Sequence, residues 1–205
     1  MKPTSLLCLC VCLCAAGLLG CDNPHKKAAL VVNKELSKLQ ENSRHSAELY
    51  RQALAARDAN NAAGARKLLQ DAVEIDNRNA RAWMTLGILL YEKDDLARAA
   101  QAFDSAAKAE PNRYEPHYNL GIVLEAAGRY ERAIEEYEMA LTLCADQNEV
   151  RENLARCLIK NRAQPQNAKR LIEQALRVET RPEWVSWLNS QLRTLTQENE
   201  VSDVR

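Results

Sequence analysis

Four cysteines at alternate positions, Cys8, Cys10, Cys12 and Cys14, are the first groups in this 205-residue chain whose type and spacing could do chemistry, because clustered thiolates hold soft metal ions. Their surroundings point elsewhere. They alternate with apolar residues inside Leu6–Leu19, a run with no charge, and they lack the usual spacing of thiolate metal sites. In such a run cysteine behaves as a small hydrophobe. His25, His45 and His117 are the only histidines and lie far apart. No Ser-His-Asp grouping, phosphate-cradling glycine loop or H-E-x-x-H pair can be read. The expectation is a chain with no catalytic residues, no metal site and no cofactor. With 28 basic and 28 acidic residues there is also no global field to favour nucleic acid.

The apolar run has a different reading. Lys2 precedes Ser5–Gly20, 16 residues that fall short of the roughly 20 needed to span a bilayer and read as a secretory signal. It ends in Leu18-Leu19-Gly20-Cys21, which resembles the lipobox of bacterial lipoproteins. That resemblance implies cleavage before Cys21, diacylglycerol on its sulfur and acylation of its new amino group. Two or three chains make a stable anchor, because each buried CH₂ contributes about 0.8 kcal/mol and one chain alone is marginal. Residues 1–20 are then a signal peptide, and the protein sits in the bacterial cell envelope, facing the periplasm or the exterior. Asp22 resembles the inner-membrane retention signal of enteric-type bacteria.

Residues 21–45 form the anchor and a polar tether, in which Val32, Leu36 and Leu39 give part of a helical stripe, enough for a short helix. Extended, some 24 residues reach at most about 80 Å. The segment either holds the rest of the chain off the bilayer or packs on it as a cap.

The elements beyond the tether are set by small residues 34 positions apart. Ala53, Gly87, Gly121 and Ala155 form one row; Ala65, Ala99 and Ala133 a second; Ala72, Ala106 and Ala140 a third. Such a period marks stacked helical hairpins, each burying a face it could not bury alone. In the unit 80–113, Trp83, Leu86, Gly87 and Leu90 precede Ala99, Phe103, Ala106 and Pro111. This resembles the tetratricopeptide repeat, W-x2-L-G-x2-Y, then A-x3-F, A and P, with Leu90 in place of tyrosine.

The unit 114–147 keeps Leu120, Gly121, Leu124, Ala133, Tyr137 and Ala140, with His117 in the tryptophan slot, where helix packing is its expected role. The unit 46–79 is degenerate, and 148–181 matches through Leu154, Ala155 and Leu158, then Ala168, Ile172 and Ala175 after one inserted residue near Pro165. The resemblance implies an all-α fold, a right-handed superhelical solenoid of about four hairpins. Trp184, Trp187, Leu188, Leu192 and Leu195 at helical spacing predict a C-terminal capping helix over 182–197, with 198–205 as a tail. Cys144 and Cys157 fall too far apart along successive helices for a disulfide and are expected as separate thiols.

In tetratricopeptide proteins the ligand usually lies in a concave groove lined by the first helix of each repeat. Carried onto this sequence, the groove positions include Tyr50, Met84, Ile88, Tyr91, Tyr118 and Ile122 as an apolar floor, with Arg81 beside them. Glu92, Glu115, Glu125, Glu149 and Glu152 would form an acidic wall along the later half. Together they imply an extended or helical peptide partner with basic and apolar residues. Binding of acidic chaperone tails is argued against, because Glu115 stands where that activity needs a lysine.

The reading is a lipid-anchored adaptor that gathers protein or peptide partners to assist assembly of envelope complexes. Small tetratricopeptide lipoproteins of similar layout include pilotins and adaptors for peptidoglycan hydrolases, an analogy of architecture alone. The alternative is a structural protein that self-associates, as a homo-oligomer, through Trp184, Trp187 or its degenerate first repeat.

Overall fold

The computed structural model describes residues 24–161, 165–177 and 179–202. The expected signal peptide, Cys21 and Asp22 therefore lie outside the described residues. The described residues form helices α1 (Pro24–Asp58), α2 (Ala62–Ile75), α3 (Ala80–Tyr91), α4 (Leu96–Ala109), α5 (Tyr114–Ala126), α6 (Tyr130–Leu143), α7 (Asn148–Asn161), α8 (Pro165–Leu176) and α9 (Pro182–Ser202), with no strand among them. None of these helices is long and apolar enough to cross a membrane. The fold is all-α, as the repeat spacing predicts.

The chain divides into two compact units, Met1–Asn42 and Ser43–Arg205. In the first, the segment expected as a tether with at most a short helix is helical from Pro24 onward. Composition explains the difference. No glycine or proline follows Pro24 until Gly64, while Ala, Leu, Lys, Glu and Gln, all good helix formers, recur throughout. Pro24 itself suits a first helical position. The side chains of residues 28–41 are exposed.

In the second unit each hairpin packs on the next: α3 on α4, α4 on α5, α5 on α6, α6 on α7, α7 on α8, and α8 on α9. Local signals start the helices on the 34-residue period. Asn61 accepts from Gly64 N, Asn79 from Ala82 N and Asp95 from Arg98 N, each satisfying an N–H that the first turn leaves unpaired. At the equivalent later positions, Arg113 and Arg129 make no such bond.

The rows of small residues are the contact line. Ala53, Ala65, Ala72, Ala99, Ala106, Ala133, Ala140 and Ala155 are all buried. At the two glycines the approach is closer than alanine allows. A Cβ on Gly87 would stand 2.7 Å from Phe103 Cε1, and one on Gly121 2.5 Å from Tyr137 Cε1. Backbone thus meets ring directly within each hairpin, and both rings are buried. The fourth hairpin keeps this core despite its inserted residue, since Ala168, Ile172 and Ala175 are buried beside Leu154 and Leu158.

Leu188 and Leu195 are buried against the core and Trp187 and Leu192 partly so, which places α9 as the closing layer on α8. Trp184 and Trp187 meet edge to face at 5.5 Å. α9 continues to Ser202, past the expected end at 197. The expected tail 198–205 is therefore helical over its first five residues, and 203–205 lie outside the described residues.

Candidate functional site

The first helices of successive repeats contribute the same positions at 34-residue intervals, so their surface can be followed column by column. α5 and α7 touch, and four long-range hydrogen bonds tie the side chains of this face together. The apolar part lies on α3 and α5. Ile88 and Tyr91 are 40% and 39% exposed, while Met84, Tyr118 and Ile122 rest partly buried on the core. Tyr118 leans on Tyr137 with ring centroids 6.2 Å apart. Tyr50 also packs partly on the core, and with Arg81 it lines a small cleft of about 230 Å³ that Asp76 and Asn79 help to close. Six expected floor residues therefore keep part of their apolar surface in reach of solvent.

The acidic wall is corrected. Glu125 is buried, and its carboxylate accepts from Arg156 Nε at 2.9 Å, Lys160 Nζ at 2.9 Å and the Tyr137 hydroxyl at 3.1 Å. Burial opposes its charge, but Arg156 and Lys160 outweigh that and hold the carboxyl below its ordinary value. Burial and the neighbouring Glu125 carboxylate push the Tyr137 hydroxyl up, so it stays a donor. Glu125 is a tie between the third and fourth repeats.

Glu152 is buried too. Arg181 Nη2 reaches it at 2.6 Å and reaches Glu179 at 2.7 Å. Burial, reinforced by a hydrogen bond with Glu179, raises the Glu152 carboxyl to about 7. Glu179 moves the opposite way, lowered by Arg181 first and by Glu152 second. One guanidinium between two carboxyls favours a single shared proton, and the more buried group takes it.

The other members of the wall divide. Glu115 is held below its usual range by the Arg113 guanidinium, 2.7 Å away. Glu92 and Glu149 are exposed. Glu125 and Glu152 are thus tied up inside the later half of this face, a physical consequence of Arg156, Lys160 and Arg181 entering from the following elements.

A sequence signal for these ties existed. Glu125 precedes Arg156 and Lys160 by 31 and 35 residues, close to one repeat length on either side. Spacing near the period places side chains on adjacent first helices, and opposite charges there pair before they meet a partner.

His117 Nδ1 lies 2.8 Å from Glu136 Oε2 on the second helix of its own hairpin, a packing position. Cys144 and Cys157 are free thiols. Cys157 is buried and pushed up to about 12 by that burial, so it is protonated and unreactive. Among the described residues no group of three His, Cys, Asp or Glu gathers to hold a metal ion. A larger cleft, about 510 Å³, opens between repeats on the second-helix side, lined by Leu96, Ala100, Leu120, Leu124, Arg129 and Arg132. It shares no residue with the apolar face of α3.

Comparison with known proteins agrees with this architecture. Residues 50–114 and 90–148 match the tetratricopeptide repeat model. The peroxisomal targeting signal receptor of Saccharomyces cerevisiae is 34% identical over 90 residues, 44% of this chain, and the match spans only 15% of the receptor's length. Among solved structures, YrrB, a tetratricopeptide protein described as having an unusual peptide-binding site, superposes with a TM-score of 0.68. It is 19% identical, over 80% of this chain and 83% of its own. PilF of Pseudomonas aeruginosa superposes with a TM-score of 0.64 at 22% identity, over 78% of this chain and 72% of its own. Residues 50–148 therefore match tetratricopeptide repeats, within a chain whose fold is an all-α helical solenoid.

Proposed function

We propose that these tetratricopeptide repeats form a lipid-anchored adaptor of the bacterial cell envelope that holds an apolar peptide segment of a partner protein on the first-helix face of its second and third repeats. The fold is that of a protein-interaction scaffold. The observation that carries the reading is the pair Ile88 and Tyr91. Both are large, apolar and more than a third exposed, in a row with Met84, Tyr118 and Ile122. Apolar side chains left open beside a packed scaffold are the usual anchors of a peptide groove.

The charge bookkeeping narrows the partner. Glu125 and Glu152 are consumed within the fold and Glu115 is paired with Arg113, which leaves Glu92 and Glu149 as the exposed carboxylates of the expected wall. The favoured partner is an apolar or aromatic segment with few charges. The anchor rests on the lipobox-like Leu18-Leu19-Gly20-Cys21 and the leader before it.

Two experiments test the parts separately. Full-length protein grown with labelled palmitate is expected to incorporate the label, and Cys21→Ala to abolish it; label that persists rejects the anchor. Proteins co-purified after cross-linking in the host are expected to be lost with Ile88→Glu/Tyr91→Glu and retained with Glu92→Lys. Equal recovery with both variants rejects the apolar groove.

A further inference from the structure

The longest run of exposed large apolar residues among the described residues lies on α1. Leu30, Val31, Val32, Leu36 and Leu39 on α1 are 72%, 61%, 55%, 51% and 43% exposed. Ala29, Val32, Leu36 and Leu39 recur at steps of three, four and three, the spacing at which one helix meets another along a seam. At 100° per residue they fall within an arc of about 80°, and Lys34 and Lys38 fall on the opposite side of the helix. The same steps continue along α1 through Ser43, Ser46, Tyr50 and Ala53, of which Ser46 and Ala53 are buried in the repeat array. One stripe is therefore covered at one end of the helix and bare at the other.

We propose that the bare stripe, Ala29–Leu39 of α1, pairs with the same stripe of a second copy of this chain, the two helices running parallel. A seam of four uncharged residues at heptad spacing is self-complementary. In the parallel arrangement Glu35, at the seam's edge, faces Gln40 of the other copy, so no like charges meet.

A lipid surface is the competing cover, and the charges argue against it. An anionic bilayer repels acidic side chains at the edge of an apolar arc, and here Glu35 borders it. Two heptads bury less than the ~1,000 Å² of a stable interface, so the pairing is weak and depends on local concentration. Copies held on one surface would meet that condition.

The test uses the full-length chain in its host membrane, with Cys144→Ser/Cys157→Ser as the parent and its background of cross-linking subtracted. Single substitutions Val32→Cys, Leu36→Cys and Leu39→Cys are compared with Leu30→Cys and Lys34→Cys under mild oxidation. A disulfide needs alpha carbons within about 7 Å, so the three seam positions are expected to give disulfide-linked dimer at roughly ten times the yield of the two controls. Leu36→Glu placed in the Leu39→Cys protein is expected to abolish that dimer. Because these side chains are exposed, loss of dimer does not report unfolding; an unchanged circular dichroism spectrum confirms it. Leu30 is the sharpest control, being equally apolar and more exposed but off the seam. Equal yields at Leu30 and Leu36 overturn the proposal, as does dimer at one seam position alone, which indicates an antiparallel crossing. Absence of dimer together with labelling of Leu36 by a lipid-phase reagent overturns it in favour of a bilayer surface.

Discussion

The second and third repeats share one frame and use it in opposite ways. Each sets a glycine against an aromatic ring, Gly87 against Phe103 and Gly121 against Tyr137. Yet the position that is Tyr91 in the second repeat, exposed and apolar, is Glu125 in the third, buried and bonded to three donors. One column to the side, Met84 and Tyr118 give way to Glu152 in the fourth repeat, again buried and again paired. The small residues decide that hairpins stack. The side chains one turn away decide whether the surface between them stays open to a partner or is closed by the next repeat. The early half of the array is thus an open apolar face, and the later half is a closed polar joint.

That contrast can be broken in several ways, beginning with the joint itself. Arg156→Ala/Lys160→Ala leaves Glu125 buried without its cations, and removing the partners of a buried charge typically costs about 3–5 kcal/mol. Urea unfolding of the full chain should show a loss of that order, largely recovered by adding Glu125→Gln. A loss below 1 kcal/mol would mean that the joint is ornamental.

The glycines come next. Gly121→Ala should destabilise by about 1–3 kcal/mol through overpacking, and more than Gly87→Ala. Tyr137 is held in place by its bond to Glu125, whereas Phe103 has no hydroxyl to hold it. Thermal denaturation of the two variants gives the comparison, and an equal effect would show that the Tyr137–Glu125 bond does not stiffen the third repeat.

The pH dependence is smaller and has a definite sign. The Glu152 carboxyl is raised to about 7, so between the ordinary carboxyl range and 7 the folded state holds a proton that the unfolded chain has lost. The stability this confers is present at low pH and fades as pH rises through 7. Glu179, shifted downward, acts in the opposite sense only at pH values below the ordinary carboxyl range. From pH 6 to 8 stability is therefore expected to fall by about 1–2 kcal/mol, and Glu152→Gln should flatten the curve. A curve that rises over this interval contradicts the assignment of the proton to Glu152. At the open face, Tyr91→Ala is expected to change stability by less than about 0.5 kcal/mol, as at surface sites outside special features.

How far the sequence reads ahead of the structure follows the same division. The hairpins were legible because packing repeats: Ala65, Ala99 and Ala133 must be small wherever helices cross, and a row of them is visible without coordinates. The partial exposure of Met84, Ile88, Tyr91, Tyr118 and Ile122 follows from the same frame, since their positions ride on it. The acidic wall misled because charge alone does not say where a charge goes. Glu125 and Glu149 look alike in sequence; one meets Arg156 and Lys160, and the other is left in solvent. The length of α1 was underestimated because a stripe as short as Val32, Leu36 and Leu39 says little about the polar residues around it, and their propensity carries the helix.

The central claim is that the open face of the second and third repeats, and not the rest of the array, holds the partner. Photo-cross-linking in the host tests it most directly, with the same reactive side chain placed in turn at Ile88 on a first helix and at Met139 on a second helix, two sites of similar exposure. The account predicts discrete partner adducts at position 88 and none at 139. Adducts at 139 with none at 88 would contradict it.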